Sequence, residues 1–160
     1  MSQIHVEASA DIPASPAAVY AVLSDYRNGH PHILPKHYFP SLEVESGGQG
    51  AGTIFNARTR VGGQERQWHM QVSEPEPGRV LMESDTASDL FTTFTHEPIS
   101  DGQHTHLTIA STWEARRGLA GFIERWLTPP AMRRVYRAEL RQIADYMQSQ
   151  GAPAASTGRS

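Results

Sequence analysis

The chain is predicted to be one α+β domain in which a curved antiparallel sheet wraps around a long C-terminal helix. Three observations lead there. Two hairpins can be put in register from their turn residues, and each then sorts apolar and polar side chains onto opposite faces. The last third of the chain changes from a period of two to the period of a helix. The apolar stripe of that helix and the apolar face of the sheet each need a cover, and each can cover the other.

The first element is a half-buried strand, because Ile4 to Ile12 alternates apolar and polar residues. Ser15 and Pro16 then suit an N-cap and first helical position. Val19, Val22, Leu23 and Tyr26 follow at i, i+3, i+4 and i+7, which predicts a short helix with one face inward. Three prolines and Gly29 between Asn28 and Pro40 leave a loop or short helical turns.

Strands fill the middle. Leu42 to Glu45 alternates, and a glycine-rich connection (Gly47, Gly48, Gly50, Gly52) follows. Thr53–Val61 and Gln64–Ser73 flank Gly62-Gly63, a two-residue hairpin signal. With those glycines as the turn, Phe55 faces Met70, Ala57 faces Trp68 and Thr59 faces Arg66 on one side. The other side pairs Arg60 with Glu65, Arg58 with Gln67 and Asn56 with His69, as cross-strand neighbours prefer. Taking Asp101-Gly102 as a second turn sets His96 against Leu107, Phe94 against Ile109, Thr92 against Ser111 and Leu90 against Trp113. Val80–Asp85 reads as a further strand between the hairpins, giving roughly seven in an antiparallel meander.

From Leu119 to Gln148 the spacing is helical. Leu119, Phe122, Ile123 and Trp126 form a stripe that Met132, Tyr136, Leu140, Ile143 and Met147 continue. Thr128-Pro129 resembles a fresh N-cap and first turn, so a kink or split is expected there. Residues 1–148 form the expected domain, and the small, polar stretch 149–160 is expected to be a disordered tail.

Composition narrows the function. Hydrophobic residues make up 38%, charged residues 19%, and the net charge is −3, with no basic run of the kind that tracks phosphates. Nucleic acid is therefore not the expected partner. No stretch approaches the ~20 apolar residues that span a bilayer, so no stable membrane insertion is expected. The N-terminal residues lack a secretory pattern, and cysteine is absent, so a cytoplasmic protein without disulfides or thiolate chemistry is expected. His30, His32 and His37 share a loop and His104 and His106 a hairpin tip, but no zinc-site spacing occurs, and no metal or cofactor is expected. The glycines at 47–52 precede a strand rather than a helix and lack a following Lys-Ser/Thr, so they are not a phosphate loop. No G-x-S-x-G is present. Arg133, Arg134, Arg137 and Arg141 lie off the apolar stripe, as a solvated face would.

Several segments resemble the START-like, or Bet v 1-like, superfamily, and its bacterial polyketide cyclase/dehydrase-like branch in particular. They are Ala10 to Tyr20, Leu23-Ser24-Asp25-Tyr26, Gly50-Ala51-Gly52-Thr53, the Gly62-Gly63 turn, Val72-Ser73-Glu74-Pro75 and the Asp101-Gly102 turn. Most are caps, turns and strand starts, so they speak to fold more than to activity. The resemblance implies the helix-grip fold. It also implies a cavity between sheet and C-terminal helix that takes lipids, polyketides or other aromatic compounds.

The registers supply candidates for such a cavity. Phe55, Trp68, Met70, Phe94, Ile109 and Trp113 face the helix from the sheet, with Phe122 and Trp126 available from the helix. An aromatic-rich concave wall suits a flat apolar ligand, and it equally suits a filled core. On the same face lie Thr59, Arg66, Thr92, His96 and Ser111. A buried Arg is costly unless paired, and a ligand carboxylate or enolate would pair it bidentately. Alternatively Arg66, close to the Gly62-Gly63 tip, reaches solvent at the sheet edge, and His96 sits at a rim near its own turn. The leading expectation is a binder of a small hydrophobic molecule, whose oligomeric state is not legible. A second is a polyketide aromatase/cyclase-type enzyme with Arg66, His96 and Tyr26 as polar groups. A third is a protein-interaction module with an exposed apolar patch.

Overall fold

The computed structural model describes residues 3–151, except for the side chains at 122, 123, 125 and 126. The elements run β1 (Gln3–Ile12), α1 (Pro16–Ser24), α2 (His30–Ile33), β2 (Ser41–Ser46), β3 (Ile54–Val61), β4 (Gln64–Glu76), β5 (Val80–Asp85), β6 (Phe91–Ile99), β7 (His104–Glu114) and α3 (Gly118–Gly151). The seven strands form one antiparallel sheet in the order β1-β7-β6-β5-β4-β3-β2. Register shifts between Val44 and Ser46, and between Ser73 and Glu76, interrupt two of the ladders and bend the strands locally. The helices cover the concave face, with α3 packed mainly along β1 and also touching β3 and α2. This is the helix-grip arrangement.

Both hairpin registers agree with the pairing derived from the turns. Phe55 pairs with Met70, Ala57 with Trp68 and Thr59 with Arg66, and Gly62 and Gly63 both take positive φ, as a tight hairpin turn demands. Phe94 pairs with Ile109 and Thr92 with Ser111. The second turn is longer than the expected Asp101-Gly102 pair. Its ladder closes at Ile99 and His104, and Ser100 and Asp101 join Gly102 in the left-handed region.

The glycine-rich connection between β2 and β3 has a protein occupant in place of a phosphate. Glu74 Oε2 accepts from the Ala51 amide at 2.8 Å, and Tyr20 donates to its Oε1 at 2.6 Å. Gly50 takes a positive φ of 58°, and a Cβ there would lie 2.5 Å from that carboxylate, so any other residue would be strained and would push the carboxylate aside.

Three expectations need correction. α1 is capped by the Ser15 hydroxyl as expected but ends at Ser24, so Tyr26 reaches the core from the turn after the helix. α3 is neither split nor freshly capped at Thr128-Pro129: it runs through Pro129 and Pro130 to Gly151, which also places residues 149–151 in the helix and not in a tail. Residues 152–160 lie outside the described residues. Each interior proline costs about 3 kcal/mol. Val135, Tyr136, Leu140, Ile143 and Met147 are all buried beyond them. At about 1.5–3 kcal/mol for each such apolar side chain, the burial outweighs the lost helix bonds.

A cavity between sheet and helix as the candidate functional site

A cavity of about 110 Å³ lies between the concave face of the sheet and α3. Its wall is apolar and aromatic: Phe55, Ala57, Trp68, Met70 and Phe94 from the sheet, with Met132 and Val135 from the helix. The strand alternation puts them there, since residues two apart on β3, β4 and β6 share the concave face.

Polar groups also reach the cavity, in two sets. The first centres on Glu83 of β5, which pairs with Thr92 across the ladder and so shares its inward face. Glu83 Oε1 accepts a hydrogen bond from the Tyr26 hydroxyl at 2.7 Å and lies 3.6 Å from His30 Nε2. His30 is buried, and its Nδ1 donates to the Leu23 carbonyl at 2.8 Å, which fixes the proton on that nitrogen because a carbonyl can only accept. Burial raises the Glu83 carboxyl above its ordinary value, an effect the His30 imidazole and the Tyr26 hydroxyl partly offset. Burial also pushes the Tyr26 phenol well above its usual value, and the charge of Glu83 adds to that.

The second set is a chain of hydroxyls across three elements. Thr92 Oγ1 and Ser111 Oγ are 2.5 Å apart, and Ser111 Oγ is hydrogen-bonded in turn to the Tyr136 hydroxyl. One turn further along α3, Glu139 is 2% exposed and its Oε1 has no hydrogen-bond partner among the described residues. Burial, then the proximity of Glu83, raises the Glu139 carboxyl well above the usual carboxylate range. Burial raises the Tyr136 phenol as well.

Of the residues singled out from sequence, Phe55, Trp68, Met70 and Phe94 line this cavity, together with Thr59, Thr92 and Ser111. Tyr26 does not line it but stacks behind it, its ring centroid 5.1 Å from that of Phe55. Arg66 must be moved out. Its backbone has the expected register opposite Thr59, yet its side chain is exposed and the guanidinium carbon lies 4.0 Å over the Trp68 ring. That position keeps the charge hydrated while its stem covers apolar surface. His96 is buried away from the cavity lining, edge-on to Tyr20. Its Nδ1 donates to the Arg79 carbonyl at 3.0 Å, its Nε2 is unpartnered, and burial lowers its pKa. Trp113 is buried beside the start of α3, donating from Nε1 to Glu124 at 2.6 Å, and is not part of the described lining. Phe122 and Trp126 lie outside the described side chains.

Glu83, Glu139, His30 and Tyr136 were not singled out as site residues. A signal existed for two of them. Glu83 shares strand parity with Leu81, and Glu139 falls on the apolar stripe three residues after Tyr136 and four after Val135. A charged residue at an inward position is the anomaly to look for. Among the described residues no group of three or more His, Asp and Glu side chains is placed to hold a metal ion. No described helix is long and apolar enough to cross a membrane. Leu119 and Leu127 are the large hydrophobic side chains left exposed among the described residues.

Sheet, helix and the cavity between them make up the helix-grip fold of the START-like, or Bet v 1-like, superfamily. Within it, the chain belongs to the family described as polyketide cyclase / dehydrase and lipid transport, whose model matches residues 3–148. No curated protein matches the chain. Among solved structures, the KanY protein shares 29% identity at a TM-score of 0.78, with 92% of this chain and 99% of that one covered. The Zhui aromatase/cyclase of a Streptomyces species has the same fold at 19% identity and a TM-score of 0.76, covering 97% and 99% of the two chains. A START superfamily protein from Mycobacterium smegmatis matches at 13% identity and a TM-score of 0.69, covering 89% and 98%.

Proposed function

We propose that this protein binds a small hydrophobic compound, of lipid, polyketide or aromatic type, in the cavity between the sheet and α3. The observation that carries the reading is the cavity itself, apolar and aromatic over most of its wall, with polar groups at His30, Thr59, Glu83, Glu139 and the hydroxyl chain. Its volume of about 110 Å³ is on the scale of engineered cavities of roughly 150 Å³ that take up benzene. A single ring fits that scale, and the flexible side chains of Met70 and Met132 give the wall means to adjust to a larger shape.

The test is to purify the protein under native conditions, denature it and identify released compounds by mass spectrometry. A released compound, rebound by the emptied protein and displaced by an environment-sensitive dye, is the expected result. Ala57→Phe, which fills the cavity from β3, should abolish that rebinding while the fold persists. A folded protein that neither carries nor takes up any apolar compound would refute the reading.

The polar set favours a second reading, a cyclase or dehydratase acting on a polyketide-type carbonyl compound, in keeping with the family description. Glu139 and Tyr136 would polarise a ketone oxygen, and Glu83 beside His30 would accept a proton. Product formation separates the two readings. A polyketone incubated with the protein should cyclise and lose water, and Tyr136→Phe should slow both steps without releasing the bound compound.

A further inference from the structure

The described lining of the cavity contains two glutamic acids and no lysine or arginine. Arg66, the cation that sequence offered either for the cavity or for the sheet edge, sits outside over Trp68. Two ionised carboxylates, both buried at one cavity, would each carry a desolvation cost and would also repel one another. At least one therefore keeps its proton. Glu83 is the better served for a negative charge, with the Tyr26 hydroxyl donating to it at 2.7 Å and the polar edge of the His30 imidazole lying 3.6 Å away. Glu139 Oε1 has no hydrogen-bond partner among the described residues. The proton belongs on Glu139.

Counting hydrogens supplies a second donor. Thr92, Ser111 and Tyr136 own three hydroxyl hydrogens and share two links. One O–H is left over, on Thr92, Ser111 or Tyr136 according to which atoms donate in the two links, and all three residues line the cavity.

From these contacts we infer that the cavity selects neutral ligands bearing a carbonyl or similar oxygen acceptor, held by the Glu139 carboxyl and the spare hydroxyl of the Thr92–Ser111–Tyr136 chain, and rejects carboxylates. The inference rests on the binding reading above and narrows its ligand class. A carboxylate would meet Glu83 with no cation among the described lining residues to offset it. An ammonium ion could pair with Glu83 but would bring a further charge into the cavity where a ketone brings none, a trade that often does no better than break even.

The experiment uses four one-ring probes of similar shape: acetophenone, isopropylbenzene, benzoate and benzylamine, titrated by calorimetry at neutral pH. Acetophenone should bind tightest, about five- to tenfold more tightly than isopropylbenzene, as one neutral hydrogen bond gives. Glu139→Leu should reduce that preference to the share owed to the spare hydroxyl while leaving isopropylbenzene binding intact. Glu139→Gln, which keeps a donor in the same place, should retain part of it and guards against a folding defect in the leucine variant. Benzoate or benzylamine binding as tightly as acetophenone would overturn the inference, as would a preference for acetophenone that Glu139→Leu leaves undiminished. If none of the four binds while circular dichroism shows a folded protein, the cavity reading itself fails.

Discussion

The Tyr26 hydroxyl donates to Glu83 Oε1 at 2.7 Å, and its ring stacks on both His30 and Phe55, with centroids 4.6 and 5.1 Å away. This contact ties the turn after α1 to the central strand of the sheet and gives a buried carboxylate its one short side-chain hydrogen bond.

Tyr26→Phe should therefore destabilise the fold by about 1–3 kcal/mol, because a buried acceptor loses its donor while packing is retained. Urea unfolding measures it. Repeating the substitution in a Glu83→Leu background should shrink the loss to a few tenths, since no acceptor then remains to be stranded. Equal losses in both backgrounds would mean that the ring and not the hydroxyl carries the effect.

Glu139 gives a pH signature. Its folded-state pKa lies above its unfolded value of about 4.3, so its stabilising contribution is fully present below that pH and is lost as pH rises through the folded value. Glu139→Gln should be close to wild type in stability near pH 4 and progressively more stable than it towards neutral pH. Chemical denaturation at several pH values checks this. A variant that loses stability relative to wild type as pH rises would reverse the sign and refute the protonated state.

Arg66→Met should change stability by less than about 1 kcal/mol, the scale of an exposed cation–π contact, since the side chain is exposed and lies over Trp68. Affinity for a neutral ring compound should be unchanged. A large loss of affinity would mean that the guanidinium enters the cavity when a ligand is present.

Trp113→Ala should cost about 3–5 kcal/mol, the range for truncating a buried Trp. Trp113 pairs across the sheet with Ile4 and bonds to Glu124, away from the described cavity lining. Protein that still folds should thus keep its affinity for a cavity ligand. Stability near wild type together with weakened binding would instead place Trp113 in the cavity wall.

The strands and their registers were legible because a two-residue glycine turn leaves few pairings, and only one sorts Phe55, Trp68 and Met70 from Arg60, Glu65 and Asn56. The reach of a long side chain was not legible. Parity puts Arg66 on the inner face correctly, but its flexible stem carries the charge back to water at the edge. Glu83 and Glu139 were missed for the opposite reason. Glutamate reads as a surface residue, and only the pairing of Glu83 with Thr92 and the position of Glu139 beside Tyr136 show it to be inward. The continuity of α3 through Pro129 and Pro130 was hidden as well, because the local rule for proline is overridden by packing that begins several residues later.

The pairing of β1 with β7 sets the order of assembly. The first strand finds its partner in the last one, Gln3 against Glu114 through to Ile12 against Thr105, while β1 and β2, neighbours in the chain, sit at opposite ends of the sheet. A growing chain emerging from the ribosome must therefore hold β1 unpaired until β7 has been made, with Ile4, Val6 and Ile12 awaiting burial. Such long-range closure slows folding, since the entropy of the large loop is lost before the contacts form. Until then the apolar row on β1 is an open edge for another chain to join, and chains that stop short of β7 should aggregate where the whole chain does not.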